Sequence, residues 1–146
     1  MNKVFTIGFT GKSARKFFSL LEENNIKKVI DVRLNNVSQL AAFAKKNDLI
    51  FFLQRILSCD YIHRPDLAPT ETILKNYKTK IISWEIYTDE YNNLLNSRNI
   101  TSSIKKDEII NSVFLCSEHQ PKYCHRRLLV EYLQKEWNDF EIVHLI

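Results

Sequence analysis

The chain has 146 residues, of which 45% are hydrophobic and 26% charged, values that fit one globular domain and exclude a largely disordered chain. Its formal charge of +4 tolerates an anionic partner but falls short of what dedicated duplex-binding proteins carry. No apolar run reaches the ~18 residues of a membrane helix, so we expect no membrane partner. The sequence shows no export signal, so we expect a cytoplasmic protein whose three cysteines are reduced. We expect residues 1–146 to form one domain.

The first elements are predicted by hydrophobic periodicity. The β-branched and aromatic run at 3–9, which ends around Gly8, indicates a buried strand. Ser13 is a suitable cap for a following helix. That helix has an apolar face, because its large apolar residues recur at intervals of three and four. These residues are Ala14, Phe17, Phe18 and Leu21.

The remaining elements alternate in the same way. Further strands are predicted at 26–33, 59–64, 112–118 and 140–146. Further helices are predicted at 38–57, 71–78, 83–98 and 121–137, with Asp48 as a cap inside the first of them and Pro121 opening the last. Strands that alternate with helices through short connections predict a three-layer α/β sandwich, with a mainly parallel sheet of about five strands flanked by helices.

Polar loops follow three of these strands. Their sequences are "GFTGKS", "DVRLNN" and "CSEHQPKYCHR". Because ligands of open parallel sheets bind beyond the carboxyl ends of the strands, we expect the three loops to border one crevice.

The first loop contains both glycines of the chain, Gly8 and Gly11. Such glycines permit close backbone approach, and the amides from Thr10 onward, together with the Lys12 ammonium, would suit an anion at a helix start. The spacing matches neither a nucleoside triphosphate P-loop nor a dinucleotide fingerprint, so both are excluded. A tight turn without a ligand is an equally acceptable interpretation.

The second loop begins with "DVR". Strand alternation puts Asp31 and Arg33 on the same side, where they could form a purely structural ion pair. Alternatively, the Arg33 guanidinium could bind an anionic or carboxylate ligand through two parallel hydrogen bonds.

The third loop has the densest chemistry. Glu118 is a candidate acid or base, Cys124 a candidate thiolate nucleophile activated by a helix start or by His125, and His125 a candidate for proton exchange. Cys116 and Arg126 are candidate ligand-binding residues. Each cysteine could equally be a core residue, since free cysteine is among the most buried residue types.

Two more specific sites are disfavoured for this loop. Metal ligation would use Cys116, His119, Cys124 and His125, but paired C-x2-C elements are missing, and adjacent Cys124 and His125 would diverge on a helix. We therefore predict no metal site. No cysteine is followed by arginine six positions later, which excludes a phosphatase- or rhodanese-like cradle.

The combination of an N-terminal "TIG", a "DVR" at the end of the second strand and the segment "LCSEHQPKYCHRRLLVEYL" resembles the domain of unknown function 488 family. The family commonly has "GHS" in the first loop, where this chain has Phe9 and Thr10, and many members have proline and arginine after "DVR", where Val37 and Gln39 stand nearby. The resemblance implies a small α/β domain and supplies no reaction. The crevice it implies is lined by Asp31, Arg33, Cys116, Glu118, Cys124, His125 and Arg126.

These observations favour a domain that binds or processes a small anionic, nucleotide- or phosphate-like ligand, with no cofactor identified and catalysis left open. The alternative is a nucleic-acid-associated module, because Lys75, Lys78 and Lys80 flank Tyr77, and Lys105 and Lys106 form a second basic spot. A third alternative is a non-catalytic binding protein. It would use the stripe of Trp84, Tyr87 and Tyr91 as a partner surface.

Overall fold

The computed structural model describes residues 2–36 and 42–146. The five strands are β1 (Asn2–Gly8), β2 (Lys28–Asp31), β3 (Asp60–His63), β4 (Ser112–Cys116) and β5 (Phe140–Leu145). The seven α-helices of the described residues are α1 (Ala14–Glu23), α2 (Lys46–Phe52), α3 (Glu71–Lys78), α4 (Trp84–Arg98), α5 (Ile100–Ser103), α6 (Lys106–Ile109) and α7 (His125–Trp137). Short 3-10 turns lie at Ala42–Ala44 and Pro65–Leu67, and a π-helical turn at Leu53–Leu57 extends α2.

All strands are parallel and form one sheet in the order β3-β2-β4-β1-β5. Val113 of β4 aligns with Phe5 of β1 on one side and with Val29 of β2 on the other. Every residue of β4 is buried, as expected for the central strand of a sheet with both faces covered. The predicted three-layer α/β architecture is therefore confirmed, and the sheet is parallel throughout.

Each face of the sheet has its own hydrophobic core, since neighbouring strand residues such as Val4 and Phe5 point to opposite faces. The first core packs α1 and α2 on the sheet through Phe17, Phe18, Leu21, Leu49 and Leu53. The second core packs α4 and α7 on the other face through Tyr87, Tyr91, Leu95, Leu129 and Leu133. Because Tyr87 and Tyr91 belong to this core, the aromatic stripe of α4 is a packing surface, and its interpretation as a partner surface is wrong.

The strand order determines where a crevice can form. The chain after β1 and β2 continues into α1 and α2 on one face, whereas the chain after β4 continues into α7 on the opposite face. Since β4 lies between β1 and β2, neighbouring strands send their connections to opposite sides, and a crevice opens at their carboxyl ends.

Several boundaries differ from the predictions. The predicted helix at 38–57 is divided into a 3-10 turn, α2 and a π-helical turn, and residues 38–41 lie outside the described part of the chain. Asp48 lies in the first turn of α2 and is not its cap, which is Lys45. The short helices α5 and α6 were not predicted. The helix predicted from Pro121 begins at His125, because the residues before it form turns.

The predicted cap of α1, Ser13, is confirmed, and a second hydroxyl, that of Ser83, caps α4. Ser13 accepts a hydrogen bond from the Lys16 amide at 3.1 Å, and Ser83 accepts one from the Ile86 amide at 3.2 Å. None of the helices in the described part of the chain combines the length and apolar character that crossing a bilayer requires.

Gly8 is required by close packing between the end of β1 and the loop after β4. A Cβ atom on Gly8 would lie 1.5 Å from the Glu118 carbonyl oxygen, whereas one on Gly11 would come no closer than 3.9 Å to His119. We therefore expect Gly8→Ala to destabilise the fold far more than Gly11→Ala, which at a φ of +78° costs roughly 1–2 kcal/mol. Urea denaturation of both variants measures the difference, and equal losses would contradict this packing.

Candidate functional site

A cavity of about 790 Å³ opens at the carboxyl ends of β1, β2 and β4, where the sheet topology predicts a crevice. Five of the predicted site residues line it, namely Arg33, Cys116, Glu118, Cys124 and His125. They come from two loops that are far apart in sequence. A more open depression lies between α3 and α4, but its described lining has no cationic side chain, cysteine or histidine.

The other predicted site residues lie beside the cavity rather than in its described lining. Gly8 packs under the backbone of Glu118, and the Thr10 amide donates to the Ser117 carbonyl at 3.0 Å. Lys12 is buried and contacts His119 Nδ1 at 3.3 Å. Thus the first loop supports the wall of the cavity from behind, and only Phe9 from this part of the chain lines it.

Asp31 and Arg33 form a buried, bidentate ion pair, as one of the two interpretations of "DVR" expected. Arg33 Nε and Nη2 donate to the two carboxylate oxygens at 2.9 and 2.7 Å. The Tyr61 hydroxyl donates to the same carboxylate at 2.5 Å, and the Ala44 carbonyl accepts a second bond from Nη2 at 2.7 Å. The Asp31 carboxylate is therefore buried behind the cavity with both oxygens hydrogen-bonded, and it orients the Arg33 guanidinium.

The ion pair does not use the whole guanidinium. Arg33 Nη1 is buried and has no hydrogen-bond partner among the residues that the structure describes. The guanidinium also faces the Phe9 ring at 5.2 Å, and both residues line the cavity. A buried donor without a partner costs about 1–3 kcal/mol, so an acceptor at this position would stabilise the protein.

Arg126 is fully buried and does not line the cavity. Its guanidinium donates to the carbonyls of Glu118 and His119 and to the Thr6 hydroxyl. Through these contacts, Arg126 holds the loop after β4 against β1.

Cys116, Cys124 and His125 converge on the floor of the cavity, and their ligand atoms lie within 4.8 Å of one another. The expectation that Cys124 and His125 diverge is wrong, because Cys124 precedes the first helical residue. Its backbone is extended, with φ of −128° and ψ of 141°, so its side chain turns toward Cys116. All three residues are buried.

His125 is held by its own backbone contact. Nε2 lies 2.8 Å from the Val32 carbonyl oxygen, and since a carbonyl can only accept, Nε2 carries a proton. Nδ1 is left on the side of Cys116, whose sulfur lies 3.7 Å from Nδ1 and 3.9 Å from Nε2. These nearly equal distances put the sulfur beside the ring rather than on the lone-pair axis of Nδ1.

That placement argues against a preformed metal centre on these three residues. A metal bound by Nδ1 lies on its lone-pair axis at ~2.0–2.1 Å, and a thiolate ~2.3 Å from that metal would be clearly farther from Nε2 than from Nδ1. The Cys116 sulfur is nearly equidistant from the two ring nitrogens, so the donor atoms are neighbours without pointing at one common position.

The two cavity cysteines differ in acidity. A hydrogen bond from Cys124 lowers the pKa of Cys116 well below its usual range, against the effect of burial, and His125 lowers it further. The same hydrogen bond and burial raise the pKa of Cys124. Burial opposes charge on His125, but the neighbouring Cys116 outweighs it and raises the pKa of His125. Cys116 is therefore the thiol that ionises first.

Sequence reasoning missed one wall of the cavity, which consists of residues from α3, α4 and the loop before α7. The wall contains Leu74, Lys75, Tyr77, Lys78, Tyr87 and Tyr123. Trp84 packs behind it, stacked on Tyr87 at 5.1 Å and edge-on to Tyr123 at 5.3 Å. The available signal was the aromatic pattern around Tyr77 and Trp84, which the sequence assigns to a basic patch and to a partner surface.

Comparison with protein-family models matched most of the chain. The model described as "Domain of unknown function DUF488" matches residues 13–133, a range that includes Arg33 and the whole of the third loop. Neither the comparison with curated proteins nor that with solved structures found a match.

Lys12 provides a test of the packing behind the cavity. Burial, with Arg126 and Lys16 nearby, lowers the pKa of Lys12 from 10.5 to about 8. Because the folded-state pKa lies below that of the unfolded chain, the protonated ammonium destabilises the fold, and stability rises as the pH increases from 8 toward 10.5. We expect Lys12→Met to raise the melting temperature at neutral pH, with a gain that shrinks over this range.

The control for this experiment is Lys135→Met, which alters an exposed lysine on α7, on the opposite face of the sheet. Thermal denaturation followed by circular dichroism across the pH range compares the two variants. A gain for Lys12→Met that does not change with pH would show that the ammonium is not the destabilising group.

Proposed function

The chain belongs to the DUF488 family, and we propose that it binds a small anionic, nucleotide- or phosphate-like ligand in the cavity at the carboxyl ends of β1, β2 and β4. Membership confirms the resemblance drawn from the sequence. The family description names no reaction, so the proposal depends on the residues of this cavity.

The observation that carries the proposal is the Arg33 guanidinium. It lines the cavity, is only 4% exposed, and retains a donor, Nη1, without a partner among the described residues. Asp31 and the Ala44 carbonyl hold the other donors, so the guanidinium is oriented before a ligand arrives. An oxyanion is the natural acceptor for such a fixed, charged donor.

The charges around the cavity are mixed and favour a ligand of low charge. Arg33, Lys75 and Lys78 contribute positive charge, whereas Glu71 and Glu118 contribute negative charge. A highly charged polyanion that fills the cavity would be repelled by these carboxylates. A single phosphate or carboxylate bound at Arg33 would not come close to them.

The volume and the aromatic wall favour a planar group attached to that anion. A cavity of about 790 Å³ falls within the ~300–1,000 Å³ typical of sites for small organic ligands. Tyr77 and Tyr87 pack at 4.9 Å, and Tyr123 lies on the same wall. Rings of this kind bind bases by stacking, which is worth about 1–3 kcal/mol per base.

If the ligand is processed, Glu118 and His125 are the groups that we propose for proton exchange, and Cys124 is the remaining candidate catalytic residue. Glu118 is exposed at the rim, where its carboxylate can exchange protons with solvent. His125 is buried at the floor, with its Nε2 proton engaged by Val32, so only Nδ1 is available.

One observation favours a second candidate, a nucleic-acid-associated module. Lys75 and Lys78 line the cavity together with Tyr77, so the proposed basic and aromatic residues of α3 do share a surface. Against an extended basic surface, Lys106 pairs with Asp139 at 2.5 Å. This candidate predicts binding to a single-stranded oligonucleotide that weakens steeply with salt.

Fluorescence titration of the Trp137→Phe variant tests the primary proposal, because Trp84 is then the only tryptophan and lies against the aromatic wall. We expect adenosine monophosphate to quench Trp84 and to bind more tightly than inorganic phosphate, since only the nucleotide can stack on the tyrosines. Arg33→Lys retains the charge but loses the fork, and we expect it to weaken binding by about tenfold, or roughly 1.4 kcal/mol.

The matched control is Arg15→Lys, an exposed position on α1 that should leave binding unchanged. Calorimetry on the wild type supports the result without any substitution. If neither phosphate nor adenosine monophosphate binds the wild type, the proposal is wrong. Binding of an oligonucleotide alone, with a steep salt dependence, would favour the second candidate.

A further inference from the structure

We propose that Cys116 is a nucleophilic thiolate that forms a covalent bond with an electrophile entering the cavity, and that an anionic group on this electrophile is directed by Arg33. The thiolate rests on the contact of the Cys116 sulfur with the His125 ring and on the place of Cys116 in the cavity lining. Only the preference for an anionic electrophile rests on the proposed function.

Cys116 is buried at the boundary between a hydrophobic core and the cavity. It is the last residue of β4, and it lines the cavity together with Arg33 and Glu118. Cys59, in contrast, packs in the core on the α1 and α2 face, where it is fully buried, and burial with the neighbouring Asp60 raises its pKa to about 11. The chain therefore contains a matched internal control for thiol reactivity.

The neighbours of Cys116 favour a negative charge on its sulfur. His125 lies beside it, with Nδ1 and Nε2 at 3.7 and 3.9 Å from the sulfur, and the Cys124 sulfur lies within 4.8 Å of both groups. Interactions with Cys124, His125 and the Ser117 backbone lower the pKa of Cys116. The sequence suggested Cys124 as the nucleophile. The contact between the Cys116 sulfur and the His125 ring favours Cys116 in that role, with Cys124 as a positioning residue.

The covalent step balances without an additional reactant. The ionised sulfur donates an electron pair to an electrophilic carbon, the S–C bond forms, and the bond from that carbon to its leaving group breaks. The leaving group departs with the bonding pair as an anion. The proton that Cys116 lost on ionisation has already passed to solvent, so no oxidant or reductant is consumed.

Alkylation of the reduced, full-length protein with iodoacetamide tests the thiolate, with peptide mapping to identify the labelled cysteine over time. We expect Cys116 to react first, at least tenfold faster than Cys59. We expect Cys124→Ser, which keeps a hydroxyl donor, to retain this rate, and Cys124→Ala to slow it by roughly tenfold, the factor that one pKa unit represents.

Iodoacetate tests the anionic preference, because it differs from iodoacetamide mainly in its charge. We expect the ratio of the iodoacetate rate to the iodoacetamide rate at Cys116 to exceed the ratio for the unfolded protein, and Arg33→Lys to lower it. If Cys116 reacts rapidly with both reagents but shows no preference, the thiolate stands and the anionic direction is wrong.

The thiolate proposal is overturned if Cys124 is labelled first, or if Cys116 reacts no faster than Cys59. It is also overturned if the serine and alanine variants react equally. The order of labelling in the wild type decides the question even if Cys124→Ala fails to fold. Cys59→Ser is the control variant, and it should leave the Cys116 rate unchanged.

Discussion

The cavity depends on one buried guanidinium, that of Arg126, which has no carboxylate partner among the described residues and is satisfied by oxygen dipoles. Desolvating such a charge costs several kcal/mol, so the carbonyls that solvate it cannot move away without a large penalty. Two of them belong to Glu118 and His119, in the loop after β4, and Thr6 supplies the third acceptor from β1. Arg126 thereby fixes the loop against the end of β1, where Gly8 leaves the necessary space.

This restraint also explains where α7 begins. Because the loop must fold back to deliver its carbonyls to Arg126, the chain between Glu118 and Cys124 forms turns and not a helix, and the Cys124 amide bonds to the Pro121 carbonyl at 3.1 Å. The backbone of Cys124 is consequently extended, and its side chain lies beside that of Cys116 at the end of β4. A structural arginine therefore assembles the chemical group at the floor of the cavity, although it does not line the cavity itself.

Much of the fold was predictable because it follows from local patterns. The periodicity around Phe17, the hydroxyl caps and the apolar strands depend on neighbours in sequence, and the structure confirms the architecture that they predict. The site was predictable only in part. Which loops meet follows from strand order, but the direction of the Cys124 side chain depends on Arg126 reaching a carbonyl. No spacing rule encodes that contact, and a proline at 121 favoured the wrong helix start. The aromatic wall was missed for a similar reason. Periodicity shows which residues share a face of a helix, but it does not show that the face carrying Tyr77 borders a cavity.

The electrostatics of the cavity constrain what can react there. Asp31 offsets much of the Arg33 charge, and carbonyl dipoles screen Arg126, so the net positive field is modest. Two like charges about 4 Å apart repel by ~4 kcal/mol at an effective dielectric constant of 20, and the repulsion halves when the distance doubles. A phosphate placed directly on the Cys116 thiolate would therefore be disfavoured. A ligand whose electrophilic atom is separated from its anionic group satisfies both Cys116 and Arg33, and a planar body lying along the tyrosine wall is one way to provide that separation.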